Sequence, residues 1–290
     1  MPRTAKDLES FLAASEAACP DLTPGTEKTI VWHDPDAKTR TPFSIVYLHG
    51  FSGSRQEIVP LAEIVAQELG ANIFYTRLAG HGRDGIALAE ATSDQWLADS
   101  AEAVDIGRQI GDRVLIFGVS TGATLALLLA ARDELNQTRA LILMSPNFLP
   151  KNRFARLLCW PFGLEITRLL HGSTYQMTIA NEQQARYWTT SYPTRAAVEM
   201  MRLVRSIRRT DLAAVTIPTM VFYSRRDQIV DATAIQKRFM SIGSDRKKLI
   251  EVTNADDAKQ HVLAGDILSP SATAKVSEHI LNFVRSLDED

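Results

Sequence analysis

The chain has 290 residues, with 32 Lys and Arg against 34 Asp and Glu, for a formal net charge of −2. Apolar residues at 45% and charged residues at 23% suit a globular chain that can bury a large core, and the near-neutral balance leaves no global pull toward nucleic acid or an anionic membrane. Cys19 and Cys159 stand far apart with no C-x-x-C or Cys/His cluster, which argues against a disulfide scaffold or a structural zinc and fits a reducing compartment.

The N-terminal stretch is helix-like. Asp7, Glu9 and Glu16 interrupt what would be a signal h-region, and no window reaches the roughly 18 unbroken apolar residues of a membrane span. A cytoplasmic protein without stable membrane insertion is expected. Short apolar runs then follow at Phe43–Leu48, Asn72–Tyr75, Val114–Val119, Ala140–Met144, Thr219–Tyr223 and Lys248–Val252. They are continuous rather than alternating, as in strands covered on both faces of a parallel sheet. Between them lie helix-length stretches at Arg55–Leu69, Asp94–Ile110, Thr121–Asp133, Asp231–Met240 and Thr273–Leu287. The alternation predicts an α/β fold with a mostly parallel central sheet flanked by helices.

One stretch breaks the rhythm. From Pro146 to Pro218 there is no good strand, only helical patterning with aromatics. Within 151–209, ten basic residues face three acidic ones, including Arg153, Arg156 and seven further arginines, so this segment is positive while the rest of the chain is negative. A long helical insertion between strands reads as a cap or lid. The expected division is therefore a core of residues 1–146 and 216–290 and a cap of residues 147–215. Phe148, Trp160 and Trp188 are candidates to contact substrate. A helical subdomain with its own small aromatic core and a solvated arginine face is the plainer reading of the same residues.

The most specific motif is Gly118-Val119-Ser120-Thr121-Gly122, directly after the run VLIF and opening the stretch TGATLALLLAA. A serine between glycines at a strand-to-helix junction makes a sharp turn that exposes the hydroxyl and places main-chain N–H groups at a helix N-terminus, where they can stabilise an oxyanion. A serine that merely caps the helix is the alternative. A nucleophilic serine needs a base that a carboxylate orients, and in this type of site the chain order is Ser, acid, His. His261 lies in an irregular loop after KLIEV, whereas His279 falls within the terminal amphipathic helix. Asp227 follows TMVFY directly. Asp231 competes but looks like a helix N-cap, and Asp256 and Asp257 sit on the histidine's own loop. The Leu48-His49-Gly50-Phe51-Ser52-Gly53 turn would supply a second oxyanion donor, the Phe51 N–H, beside that of Thr121. His49 precedes the nucleophile and is better suited to holding this turn. Carboxylates and histidines do not cluster at ligand spacing, so no metal and no cofactor are expected.

LHGFSGS (48–54), RLAGHGRD (77–84), GVSTG (118–122), SRRDQIV (224–230) and HVLAGD (261–266) together resemble an α/β-hydrolase, and within that superfamily the bacterial carboxylesterase and monoacylglycerol lipase-like group. The resemblance spans about residues 28 to 287. It implies Ser120 as nucleophile, Asp227 as acid, His261 as base, Phe51 and Thr121 as oxyanion donors, and a cap at 147–215. The NADDAKQ stretch before His261 is longer and more charged than the family's usual turn, and the cap is unusually rich in arginine. The expected activity is hydrolysis of a small-molecule carboxylic ester, of short to medium apolar acyl chain or monoacylglycerol-like, through an acyl-enzyme. The alternatives are another bond, such as a thioester, amide or C–C bond in an anionic substrate drawn by the cap arginines, and a non-catalytic binding protein on a hydrolase frame. The sequence sets no oligomeric state.

Overall fold

The computed structural model describes residues 4–288 apart from 153, 154, 156, 157 and 159–161; Cys159, Trp160, Arg153 and Arg156 therefore lie outside the described residues. A seven-stranded sheet forms the centre, in the order β1 (Thr29–Val31), β3 (Asn72–Tyr75), β2 (Thr41–Leu48), β4 (Gly111–Val119), β5 (Thr138–Met144), β8 (Thr219–Tyr223), β9 (Lys247–Glu251). Every neighbouring pair is parallel except β1 with β3. The continuous apolar runs are explained by burial on both sides. Ile45, Tyr47, Leu115 and Phe117 point into one core cluster, and Val46, Leu48, Val114 and Ile116 point into the other. Helices α2 (Leu61–Leu69) and α10 (Pro270–Ser286) cover the first face. Helices α1 (Ala5–Ala17), α4 (Ser93–Ile110), α5 (Thr121–Ala131) and α9 (Ala232–Met240) cover the second. Helix α5 is buried at ten of its eleven positions and starts where β4, a central strand, ends, which sets its first turn at the carboxyl edge of the sheet.

The structure departs from expectation in four places. The single helix expected over Arg55–Leu69 is a 3-10 turn, Arg55–Glu57, followed by α2; Pro60 has no N–H to continue a helix and its ring clashes with the preceding turn. Strand β1 and the short helix α3 (Gly85–Glu90) were not expected. The stretch from Pro146 to Pro218 is not free of strands. After α6 (Gly163–His171) it holds β6 (Thr174–Gln176), α7 (Glu182–Tyr187), β7 (Ser191–Pro193) and α8 (Ala196–Arg209), with β6 and β7 pairing antiparallel and Tyr175 opposite Tyr192. Each strand has only three residues, too few to write a period-two pattern into a sequence. No helix among the described residues is long and apolar enough to cross a membrane.

Candidate active site

Ser120 occupies the last position before α5 with φ +51° and ψ −109°, a region that side chains other than glycine rarely adopt and that persists only where surroundings enforce it. Here they do. The Ser120 N–H donates to the Met144 carbonyl (2.8 Å), and the Ser120 carbonyl accepts from Thr124 N–H (3.1 Å). Gly118 and Gly122 are required by contact. A Cβ on Gly118 would lie 2.8 Å from the Ala123 main chain, and one on Gly122 would lie 2.0 Å from the Leu48 carbonyl oxygen. Ser120 stands at the N-cap position, but its hydroxyl makes no capping hydrogen bond, so the helix-cap alternative leaves that hydroxyl without a role.

Asp227 is 1% exposed at the end of the β8 loop. Its Oδ1 accepts the main-chain N–H groups of Ile229 (2.7 Å) and Val230 (2.9 Å), which orients Oδ2 onto His261 Nδ1 at 2.8 Å. The carboxylate can only accept there, so Nδ1 carries the proton and Nε2 keeps its lone pair. Burial of the ring opposes its charged form. The charge and hydrogen bond of Asp227, with help from Glu57 and Asp257, outweigh it, so the imidazole is held above its ordinary value. The rivals are engaged elsewhere: Asp231 accepts from Thr233 and Ala234 N–H as the α9 cap, and His279 lies half-buried on α10.

The charged stretch before His261 is a scaffold. Asp257 Oδ2 accepts the N–H groups of both His261 (2.9 Å) and Val262 (3.0 Å), while its Oδ1 accepts Lys259 N–H. Ser145 Oγ donates to the His261 carbonyl (2.7 Å), and Gln228 N–H donates to the Lys259 carbonyl, tying the acid loop to the base loop.

The Gly50-to-Gly53 turn stands beside α5. His49 Nδ1–H donates to the Gly50 carbonyl and its Nε2 accepts Leu78 N–H; burial pushes this imidazole down to about 4, so it stays neutral and structural. The Phe51 ring sits edge-on to His81, Trp96 and Tyr192. The N–H groups of Phe51 and Thr121 donate to no acceptor among the described residues. The sequence reading missed Glu57, whose buried carboxyl accepts from Gly50 N–H and Tyr47 O–H. No periodic signal marks it, since it falls near the start of a stretch that reads as one helix, Arg55–Leu69.

Ser120, Thr121, Phe51 and His261 share the wall of a cavity of about 820 Å³, which Leu158, Tyr175, Met200 and Trp188 from the 147–215 segment also line. Trp188 thus reaches the cavity. Phe148 does not: it is 1% exposed and joins the core cluster on the α5 face, because the chain leaving β5 dips back into the body before it rises. Trp160 lies outside the described residues. None of the described arginines of 151–209 lines the cavity; all are exposed. The anionic-substrate expectation therefore finds no arginine at the site among the described residues. No group of His, Cys, Asp and Glu among the described residues could hold a metal ion.

The family model described as Hydrolase_4, serine aminopeptidase S33, matches residues 41–255. A thermostable monoacylglycerol lipase of Bacillus sp. (strain H-257) is 24% identical over 218 residues, 74% of this chain and 82% of that one. Among solved structures, one from the metagenome-derived lipolytic enzymes LipS and LipT superposes with a TM-score of 0.73 at 20% identity, over 92% of this chain and all of that one. A monoglyceride lipase of Saccharomyces cerevisiae bound to a substrate analogue superposes with a TM-score of 0.64 at 13% identity, over 91% and 90% of the two chains.

Proposed function

The chain belongs to the Hydrolase_4 (serine aminopeptidase, S33) family of α/β-hydrolases, and we propose that it is a serine carboxylesterase in which Ser120, His261 and Asp227 form the triad. One observation carries the reading: a strained serine whose hydroxyl has no capping duty shares a cavity with a histidine locked to a buried aspartate at 2.8 Å. His261 Nε2 takes the proton of Ser120 as Oγ attacks the ester carbonyl. The Phe51 and Thr121 N–H groups hold the oxyanion, and Asp227 stabilises the imidazolium. His261 then gives that proton to the leaving alcohol, and a water deprotonated by the same nitrogen releases the acid.

Residues 147–215 act as a cap in this reading. Their aliphatic and aromatic side chains suit an acyl group of short to medium length, a chemistry in keeping with the lipase named among the relatives. The aminopeptidase of the family description would need a carboxylate for the substrate's ammonium. Asp257 has both oxygens on main-chain N–H groups, and Glu57 Oε2 is engaged by Gly50 N–H and Tyr47 O–H; an ester is the better fit. Hydrolysis of p-nitrophenyl esters from two to sixteen carbons tests the reading. The expected result is a maximum at short or medium chains, with kcat lost at least about 10³-fold in Ser120→Ala and His261→Ala. Full turnover by a folded Ser120→Ala protein would overturn it.

A further inference from the structure

The geometry points to Glu57 as the positioning residue of the oxyanion loop: held by Tyr47, it grips the Gly50 N–H and so fixes the peptide that presents the Phe51 N–H to the reacting carbonyl. This rests on the triad reading above. Tyr47 is fully buried in β2, and its O–H donates to Glu57 Oε2 at 2.7 Å. The same oxygen accepts Gly50 N–H at 2.8 Å. From the other side, the Gly50 carbonyl accepts from His49 Nδ1–H (2.9 Å) and Gly53 N–H (3.1 Å). The Gly50–Phe51 peptide is therefore pinned through the residue before it and through its own carbonyl, which leaves its N–H direction little freedom.

The glycines of the turn admit this carboxyl. A Cβ on Gly50 would stand 2.9 Å from Glu57 Oε1, and one on Gly53 would stand 3.3 Å from it. A carboxyl that is 4% exposed is costly to bury unless its hydrogen bonds repay the lost hydration. Here the two bonds it accepts both end at the oxyanion loop or its supporting strand. Burial pushes Glu57 above the usual carboxylate range, although the Gly50 and Tyr47 hydrogen bonds pull the other way. Glutamine keeps the length of this side chain, and its carbonyl oxygen can accept the same two donors.

A group that aims an oxyanion donor acts on the transition state and not on ground-state binding. In Glu57→Leu, kcat should fall about 10- to 100-fold with KM within about twofold. The Ki of a trifluoromethyl ketone, which forms a tetrahedral oxyanion on the nucleophile, should rise by the same factor as kcat falls. Glu57→Gln should recover most of the kcat lost in Glu57→Leu. Tyr47→Phe, which removes one bond to Oε2 and keeps the ring, should lose kcat several-fold in the same pattern, and it carries the test if Glu57→Leu does not fold. Wild-type kcat in folded Glu57→Leu, a loss confined to KM, or a Glu57→Gln protein as impaired as Glu57→Leu would each overturn the proposal. If Ser120→Ala and His261→Ala are inactive while both Glu57→Leu and Tyr47→Phe are unaffected, the positioning role fails and the triad reading stands; an active Ser120→Ala protein overturns the triad reading itself.

Discussion

Gly122→Ala adds a single carbon where the first turn of α5 meets the end of β2. That Cβ would sit 2.0 Å from the Leu48 carbonyl oxygen, 2.5 Å from its carbon and 2.7 Å from the His49 carbonyl oxygen. All three atoms are main chain, so no side chain can swing aside. The helix start must retreat from β2 by about 1 Å to regain a tolerable contact. Overpacking of this kind costs about 1–3 kcal/mol, or a fall in Tm of about 2–6 °C for a chain of this size. In the proposed mechanism the same retreat carries Ser120 and the Thr121 N–H away from the ester carbonyl, and a 1 Å misplacement costs about 10²-fold in kcat. Thermal melting by circular dichroism and kcat on a short p-nitrophenyl ester measure the two effects. Gly118→Ala, whose Cβ meets the Ala123 main chain at 2.8 Å, should move both quantities in the same direction by less. A Gly122→Ala protein with wild-type Tm and kcat would refute the claim that this contact positions the nucleophile.

Because His261 is held above the ordinary imidazole value of 6.5, and only its neutral form can accept the serine proton, kcat/KM should be full at alkaline pH and fall about tenfold per unit below a midpoint above that value. A midpoint below it would contradict the balance of charges described. Asp227→Asn should lower both that midpoint and kcat, the latter by about 10³- to 10⁴-fold, as read from pH–rate profiles. Asp257→Ala frees the main-chain N–H groups of His261 and Val262 in a buried loop and should cost about 1–3 kcal/mol of stability with a 10- to 100-fold loss of kcat, whereas exposed Asp256, which accepts Ser271 N–H, should tolerate alanine; equal effects of the two would refute the scaffold role. Arg77 and Glu16 pair at 2.7 Å with side chains 7% and 9% exposed, so Arg77→Ala should cost about 3–5 kcal/mol by stranding a buried charge, and Glu16→Ala in the same chain should restore part of it in thermal melts.

The core strands could be read from the sequence because burial on both faces removes the polar alternation and leaves plain apolar runs. Ser120 was legible because strain, close approach and a helix start all require small residues, and those requirements are written as Gly118 and Gly122. Asp227 and His261 followed from chain order and from their place in loops after strands, and the structure brings them together. The supporting contacts were not legible. Asp257 looked like a stray loop acid, since nothing local shows that its carboxylate turns back on two N–H groups ahead of it. Glu57 sits in a run that passes for a helix, and its partners Tyr47 and Gly50 come from another element. Phe148 and Trp188 are both aromatics in the same segment; only the path of the chain separates the one in the core from the one in the cavity. Strands β6 and β7 pair across the whole of α7, and sequence patterns do not show pairing over such a gap.

The central claim is that Ser120 is the nucleophile. Treating the folded chain with an alkyl fluorophosphonate and digesting it with trypsin isolates residues 114–132, a peptide whose only serine is Ser120. Mass spectrometry should find one phosphonyl group per chain, on Ser120, with labelling abolished in Ser120→Ala and strongly slowed in His261→Ala. Modification at another residue, or none on folded protein at concentrations that label other serine esterases, would contradict the account.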